Sequence, residues 1–326
     1  MKSEIMVSVC VITFNHEKYI RKTLDGILMQ KIDFPIEIIV HDDASTDRTA
    51  DIVREYYEKY PDIIRPILQT ENQFQKKIPA FQNHVMPVMQ GKYVAHCEGD
   101  DYWTDPNKLQ RQVDYLESHP DFIAVTHNVE YIDENDEPYQ GYQDPTWSKM
   151  EEREMTINDA EHRVLIGQLA SFVYRNIWKN LDSDFMNEYR KSTSMNGDQK
   201  ISLVLLLNGR VWRMSKQMSR YRKSFSNGSY NSRMKGKNLT GRVSDGMYQA
   251  ISLAKYFGKD LKYNDAFDDN HQKALMLYLK NRTKENREIL KYVYKQHPNH
   301  KRAVLKSIKY LVSIPLNKLK RKKVKE

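Results

Sequence analysis

Two cysteines, Cys10 and Cys97, are the only thiols in this 326-residue chain, and each lies inside an apolar run. A pair that sparse, with no CxxC spacing, makes neither a disulfide framework nor a zinc site and predicts buried, reduced thiols. No apolar run reaches the about 20 residues that a membrane-spanning helix needs. A mean hydropathy of -0.76 points the same way. A secretory signal is missing: the first apolar stretch is short, Asn15 and His16 interrupt it, and no small-residue cleavage site follows. The chain is therefore expected in the cytoplasm. A glycine-rich phosphate loop is missing too, because Phe14-Asn15-His16-Glu17 follows the first apolar run, which argues against a nucleotidyltransferase. There is no internal repeat. Aromatic residues are not interleaved with Lys and Arg on a predicted sheet face, so no nucleic-acid partner is expected.

What is present starts with charge. The formal net charge is +9, but acidic clusters fill the first third while residues 301–325 are strongly basic. In that tail Val304, Leu305, Ile308, Leu311, Val312, Ile314, Leu316 and Leu319 stand among the cations, with Pro315 as a break. An apolar stripe beside a cationic face suits a helix lying on anionic lipid. A C-terminal helix packed on the protein, with a loose basic end, reads from the same residues.

Strand and helix signals alternate through the N-terminal part. Residues 6–13 (MVSVCVIT) and 36–40 (IEIIV) are β-rich runs of the kind buried on both faces. Residues 63–68 read as an edge strand because of Pro66, and residues 92–97 as a fourth strand. Helices are expected over 16–29, from about 47 to 60, and over 80–90. This rhythm predicts βαβ units and a parallel sheet, whose ligands gather at the carboxyl ends of the strands. Further on, strands are expected at 122–126 and 170–174, and an apolar helix at 200–207 closed by Asn208-Gly209. Residues 133–145 read as a polar loop. After a polar stretch at 227–241, a helix at 243–257 and two or three more fill the remainder.

Three polar clusters lie just after predicted strands, on one rim of one sheet. Glu98-Gly99-Asp100-Asp101 packs three carboxylates into four residues, which repel one another unless a cation sits between them. Hard oxygen ligands suit Mg²⁺ or Mn²⁺. A solvated turn is the competing reading, but the next helix has its own start at Asp105-Pro106. Asp42-Asp43 can accept hydrogen bonds from a base or ribose, though alone it reads equally as a turn.

Together, Val9-Cys10-Val11-Ile12-Thr13-Phe14-Asn15, Ile38-Ile39-Val40-His41-Asp42-Asp43-Ala44-Ser45-Thr46-Asp47 and Gly91-Lys92-Tyr93-Val94-Ala95-His96-Cys97-Glu98-Gly99-Asp100-Asp101 resemble the family 2 glycosyltransferases. The resemblance covers about the first 225 residues. It implies an α/β GT-A fold: a Rossmann-like, mostly parallel central sheet flanked by helices. Residues 1–225 would form that domain, with a nucleotide-sugar half to about 105 and an acceptor half beyond. Residues 226–326 would be a helical extension. Thr13, Asn15, Asp42 and Asp43 would hold the base and ribose. Glu98 and Asp100 would bind the metal, with Asp101 near the donor sugar. Asn83 stands where the family has an Arg-Asn pair, Gln82 replacing the Arg. Asp198, before the apolar helix, would be the catalytic base, with Gly197 in place of an acidic neighbour; service as a helix cap is its alternative role. Arg222 in the Met218-Ser219-Arg220-Tyr221-Arg222 segment would steady the leaving diphosphate. The implied activity is metal-dependent, inverting hexosyl transfer from a nucleotide-sugar, UDP being the family default, to a glycan or lipid-linked acceptor. Surface polysaccharide assembly on the inner face of a bacterial cytoplasmic membrane would follow. A non-catalytic, glycan-binding scaffold with the same fold is the rival reading, motivated by Glu98, Gln82 and Gly197.

Overall fold

The computed structural model describes residues 4–224 and 237–313. The apolar runs near the N-terminus become β1 (Val7–Thr13), β2 (Ile36–Asp42), β3 (Ile64–Leu68) and β4 (Tyr93–His96), with α1 (Ile20–Leu28) and α2 (Thr49–Lys59) between them. Next come β5 (Tyr102–Trp103), α3 (Lys108–Ser118), β6 (Phe122–Ile132), α4 (Pro145–Ser148), β7 (Arg153–Met155) and α5 (Ile157–Glu161). Then follow β8 (Val173–Arg175), α6 (Ser183–Lys191), α7 (Gly197–Asn208) and β9 (Arg210–Arg222). Four helices close the chain: α8 (Thr240–Tyr256), α9 (Asn264–Lys280), α10 (Lys284–Gln296) and α11 (His300–Ser313).

All described strands join one nine-stranded sheet, ordered β3-β2-β1-β4-β8-β6-β9-β5, with β7 also on β9. β3, β2, β1 and β4 run parallel, and β3 is the edge that Pro66 predicts. β8 enters antiparallel between β4 and β6, while β6 and β9 run parallel and β5 and β7 pair antiparallel with β9.

Alternation along the strands feeds two cores. Val7, Val9, Val11, Ile38, Val40, Tyr93 and Ala95 pack with α1, α2 and α3 on one face. Cys10, Ile39 and Val94 face the other way, against α6, α7 and α8. Residues 200–207 of α7 are buried all round, as an apolar helix without a polar face must be. The second core continues from β1 through α7 to Leu253, Tyr263 and Phe267, so the C-terminal helices share it with the sheet. Both cysteines are buried and unpaired, and burial pushes their thiols well up.

Two local expectations are corrected. The helix predicted over 80–90 is a single π turn, Phe81–Val85, followed by a 3₁₀ turn, Met86–Val88. Pro87 lacks the N–H and the room that an α-helix requires. α7 does end at Asn208, but Gly209 has an extended backbone (φ 175°) rather than a left-handed cap. A Cβ there would lie 3.1 Å from Ile123 Cβ, so close packing against β6 is what the glycine allows.

Candidate active site

The carboxyl ends of β1, β2 and β4 meet at one rim. Gly99 is the point of closest approach: its N–H donates to Ile12 O at 2.9 Å, and an added Cβ would meet Thr13 Oγ1 at 2.5 Å. The glycine thus seats the loop after β4 against the end of β1. Thr13 is buried, and neither its hydroxyl nor His16 Nδ1 has a hydrogen-bond partner among the described residues.

The β1 and β2 ends are latched together. Asn15 takes a left-handed backbone (φ 56°), tolerable for asparagine. Its N–H donates to Ser45 Oγ at 2.9 Å, and its Oδ1 accepts from Thr46 N at 2.8 Å. Glu17 N donates to Asp47 Oδ2, and Arg48 N to Glu17 Oε2. Asp42 is enclosed and accepts from the Ser45 N–H at 3.0 Å and from the Ser45 hydroxyl; burial pushes its pKa up and those bonds oppose the rise. Asp43 is enclosed as well, accepting from Gln73 N at 2.7 Å and Phe74 N at 3.1 Å. Of the four residues expected at the base and ribose, Asn15 alone is exposed at this rim.

The cluster after β4 splits into two kinds of carboxylate. Asp101 is 1% exposed. Its Oδ2 accepts from Gln168 Nε2 at 2.8 Å and its Oδ1 from Arg222 N at 2.9 Å, while burial beside Asp100 and Glu98 pushes its pKa up. It therefore ties β4 to β9 and is not presented to the cleft. Glu98 is reached by solvent but crowded by protein. That crowding, then the charges of Asp100 and Asp198, raise its pKa to about 8. Asp100 is part-exposed, with His16 Nε2 3.9 Å from its Oδ2.

Asp198 reaches this cluster from the first turn of α7. The cap of that helix is Asn196, whose N–H donates to Gln199 Oε1 at 3.0 Å in a capping box. Asp198 Oδ1 accepts from Gln199 N at 2.8 Å, while burial raises its pKa against that bond. Glu98 thus feels the charges of both Asp100 and Asp198, the latter from about a hundred residues along the chain. Residue spacing alone does not reveal that meeting.

β9 supplies the remaining wall. Arg222, expected at a leaving diphosphate, is enclosed, with no exposed side-chain surface. Nε donates to Asp100 O at 2.9 Å, Nη1 to Asp133 O at 2.7 Å and Nη2 to Asp136 Oδ1 at 2.6 Å, and the guanidinium lies 4.1 Å over the Tyr19 ring. In this arrangement Arg222 braces the loop that carries Asp100. Period-two alternation turns its neighbour Tyr221 the other way. Burial and then the charges of Asp101, Glu98, Asp100 and Asp198 push the Tyr221 phenol well up, so it stays protonated beside them. Tyr221 and Gln168 are the two site residues outside the sequence-derived set. The Tyr-Arg alternation is a signal for the first; nothing local marks the second.

Asn83 is exposed, and its Nδ2 donates to Pro79 O at 2.8 Å. Gln82 instead turns inward, 5% exposed, toward the Tyr189 hydroxyl. The Arg expected at position 82 would have to enter a core here.

Among the described residues no three His, Cys, Asp or Glu side chains are arranged to hold an ion unaided. Glu98 and Asp100 fit the type of site in which one or two carboxylates share a hard cation with water and phosphate. Crowding by protein and then the charge of Asp100 disfavour an ionised Glu98, and a cation between the two would relieve both.

Comparison with known proteins agrees with this geometry. The family model "Glycosyl transferase family 2" matches residues 8–179. An uncharacterized protein of Mycobacterium tuberculosis is 40% identical over 169 residues, covering 52% of this chain and 46% of the relative. The putative glycosyltransferase EpsE of Bacillus subtilis is 34% identical over 134 residues, covering 41% and 46%. The Escherichia coli UDP-Glc:alpha-D-GlcNAc-diphosphoundecaprenol beta-1,3-glucosyltransferase WfaP is 28% identical over 121 residues, covering 37% and 45%. The chain thus spans less than half the length of these relatives. In fold it is similar to residues 1–349 of S. aureus TarS, crystallised with UDP-GlcNAc. That likeness has a TM-score of 0.64 at 18% identity and covers 94% of this chain and 89% of the other; both share the GT-A fold.

Proposed function

The chain belongs to glycosyl transferase family 2, and from that premise we propose that it is an inverting, metal-dependent transferase moving a sugar from a nucleotide-sugar to an acceptor hydroxyl. The observation that carries this reading is the convergence of Asp198, from the first turn of α7, with Glu98 and Asp100 of the loop at the carboxyl end of β4. A UDP-sugar is the proposed donor, in keeping with the substrate named for WfaP. The nucleoside end would rest on the β1–β2 rim, where Asn15 and Phe14 are exposed. Residues 1–225 would be the transferase domain and 226–326 its helical extension.

In the reaction, Asp198 takes the proton from the acceptor hydroxyl as that oxygen bonds the anomeric carbon. The bond from that carbon to the diphosphate oxygen breaks, and the nucleoside diphosphate leaves with the electron pair. Attack from the face opposite the leaving group inverts the centre. The raised pKa of Asp198 moves it toward the range in which a general base works best. Glu98 and Asp100 would hold Mn²⁺ or Mg²⁺, which when bound neutralises charge on the departing diphosphate. Arg222 and Gln168 keep Asp100 and Asp101 in place.

A lipid-linked acceptor at the cytoplasmic face of a membrane fits the C-terminal helix. α11 is docked through Arg302 Nε to Asp268 at 2.7 Å and through Ser307 to His271 at 3.0 Å. Its other side exposes Leu305, Ile308 and Val312 (60, 53 and 81%) among Lys301, Lys306 and Lys309, as an interfacial helix requires. No helix among the described residues is long and apolar enough to cross a membrane. Ile314, Pro315, Leu316 and Leu319 lie outside the described residues. Surface-glycan assembly is the proposed setting.

The test is release of nucleotide from UDP-, GDP- and dTDP-sugars with Mn²⁺ or Mg²⁺, comparing the chain with Asp100→Ala and Asp198→Ala. Metal-dependent release of one nucleotide, lost in Asp100→Ala, is expected. No turnover with any donor, even with membrane extract as acceptor source, would favour the scaffold reading.

A further inference from the structure

Behind α7, on the side away from the sheet, α5, α7 and α8 leave a cavity of about 250 Å³. That is just below the range that holds drug-sized ligands. One wall is apolar, with Leu203 and Leu206 on α7 and Val243, Met247 and Ala250 on α8, and polar groups share the rest. Two arginines stand among its lining residues. Arg242 donates to neutral acceptors, Ser194 O at 3.0 Å and Asn196 Oδ1 at 3.1 Å. Arg163 is reached by solvent but crowded by protein, which pushes its pKa down. Among the described residues neither arginine forms an ion pair with a carboxylate. The Ser202 hydroxyl, also in the lining, is buried and has no hydrogen-bond partner among the described residues.

The backbone at Arg163 adds a second observation. It closes α5, with its N–H on Ala160 O at 2.9 Å and Val164 N on Asp159 O at 2.8 Å. Its φ is 60°. Helices often end on a left-handed residue of this kind, and that residue is usually glycine. Here a long cationic side chain occupies a position that glycine would take without strain. Strain of that sort is found where a side chain has a task.

We propose that this cavity binds an amphiphilic anion, with one phosphate or carboxylate head held between Arg163 and Arg242 and an apolar chain lying between α7 and α8. Both cations then gain a counter-charge, and the dry wall is covered. Asn196 and Gln199, which also line the cavity, are the capping pair of α7. The occupant therefore sits against the turn that carries Asp198. A phosphate-linked lipid and a free fatty acid share this chemistry; only the first source rests on the transferase reading above.

The probe is decyl phosphate below its micelle concentration, titrated calorimetrically into the full chain without nucleotide-sugar. Inorganic phosphate and decanol serve as half-ligands. Saturable binding at least tenfold tighter than either half is expected. Arg163→Gly should weaken it tenfold or more while raising the melting temperature of the free protein, because the left-handed position relaxes. Ala250→Leu fills the cavity and should weaken it similarly. Asp198→Asn should bind as the parent does, so loss of the transferase reading leaves this result intact. Preference for decyl phosphate over decanoate assigns the head to a phosphate lipid, and equal binding assigns it to fatty acids as well; either supports the site. Absent saturation, or binding unchanged in both Arg163→Gly and Ala250→Leu, overturns it.

Discussion

The rim after β2 and the rim after β4 are both acidic, yet their carboxylates are in opposite states. Asp42 and Asp43 are filled by backbone and hydroxyl donors: Ser45 of the same loop for the first, Gln73 and Phe74 of the loop after β3 for the second. Glu98 instead is crowded by protein and feels the charges of Asp100 and Asp198, and its pKa rises to about 8 in consequence. A carboxylate whose acceptor positions are satisfied holds a framework, whereas one with an unfilled oxygen is open to a proton or a cation. Asp101 shows that the difference is not one of location. It is adjacent to Asp100 in sequence but belongs with the framework group, through Gln168 and Arg222.

The largest expected effect is on the second group. Asp198→Asn keeps the shape of the first turn of α7 and removes the base, so kcat should fall about 10³-fold, within the span of general-base catalysis. The melting temperature should stay within experimental error, since Asn196 caps the helix and an asparagine at 198 keeps an oxygen to accept the Gln199 N–H. Turnover of the preferred donor, measured beside a thermal melt, checks both halves. A melt lowered as far as the activity would place Asp198 with the framework.

Asp43→Ala reverses the pattern. Two backbone N–H groups, of Gln73 and Phe74, lose a charged acceptor, at a cost of about 2–3 kcal/mol. Urea unfolding should show that loss. Asp100→Asn, which relieves repulsion, should leave stability unchanged or raise it while activity falls. If Asp43→Ala leaves stability intact and abolishes nucleotide binding, the two rims are less different than their hydrogen bonds indicate.

How far the sequence foretells this contrast depends on the element. β1, β2 and β4 are buried on both faces, so they read as apolar runs, and the polar residues after them mark the rim. β9 is 13 residues long with Arg, Lys, Ser and Gln throughout. Its polar groups are answered by β5, β6 and β7, and no local pattern records that. The same limit hides the partners of Arg222. The Tyr-Arg pair is visible in the chain, but which member faces the cleft depends on Asp133 and Asp136, nearly ninety residues away. Asp198 is legible because an Asn cap and an apolar helix follow one another directly. Gln168 acts only through Asp101 and leaves no sequence mark.

Buried cations extend the comparison. Arg222 has acceptors on three of its nitrogens, while Lys108, fully buried, has no hydrogen-bond partner for Nζ among the described residues, only the Trp103 ring 4.0 Å away. Burial lowers the Lys108 pKa from 10.5 to about 7. Above 10.5 the amine is neutral in both states and adds no penalty. Between about 7 and 10.5 the unfolded chain binds a proton that the folded chain does not, so stability rises with pH across that window and is lost as pH falls through about 7. Lys108→Met should flatten the rise. It should also stabilise the protein at pH 7 by about 1 kcal/mol, the desolvation cost exceeding the lost cation–π contact. Urea midpoints at pH 6, 7.5 and 9 test this; a parent profile as flat as that of the variant would contradict it.

The smallest effect is sought between the two framework aspartates and Ser45. Ala44 has a φ of 59°, a left-handed conformation that costs a Cβ-bearing residue about 1–2 kcal/mol. Glycine would adopt it freely but would also loosen the unfolded chain by about 0.4–1 kcal/mol. Ala44→Gly should therefore stabilise by about 0.5 kcal/mol, visible as a shifted urea midpoint at constant slope. The Ser45 bonds to Asp42 and Asn15 hold the loop in shape with either residue, so nucleotide affinity should change less than twofold. A tenfold weaker affinity would mean that the rim after β2 stores strain for binding, and that its filled carboxylates shape the nucleotide site as directly as the open ones shape the reaction.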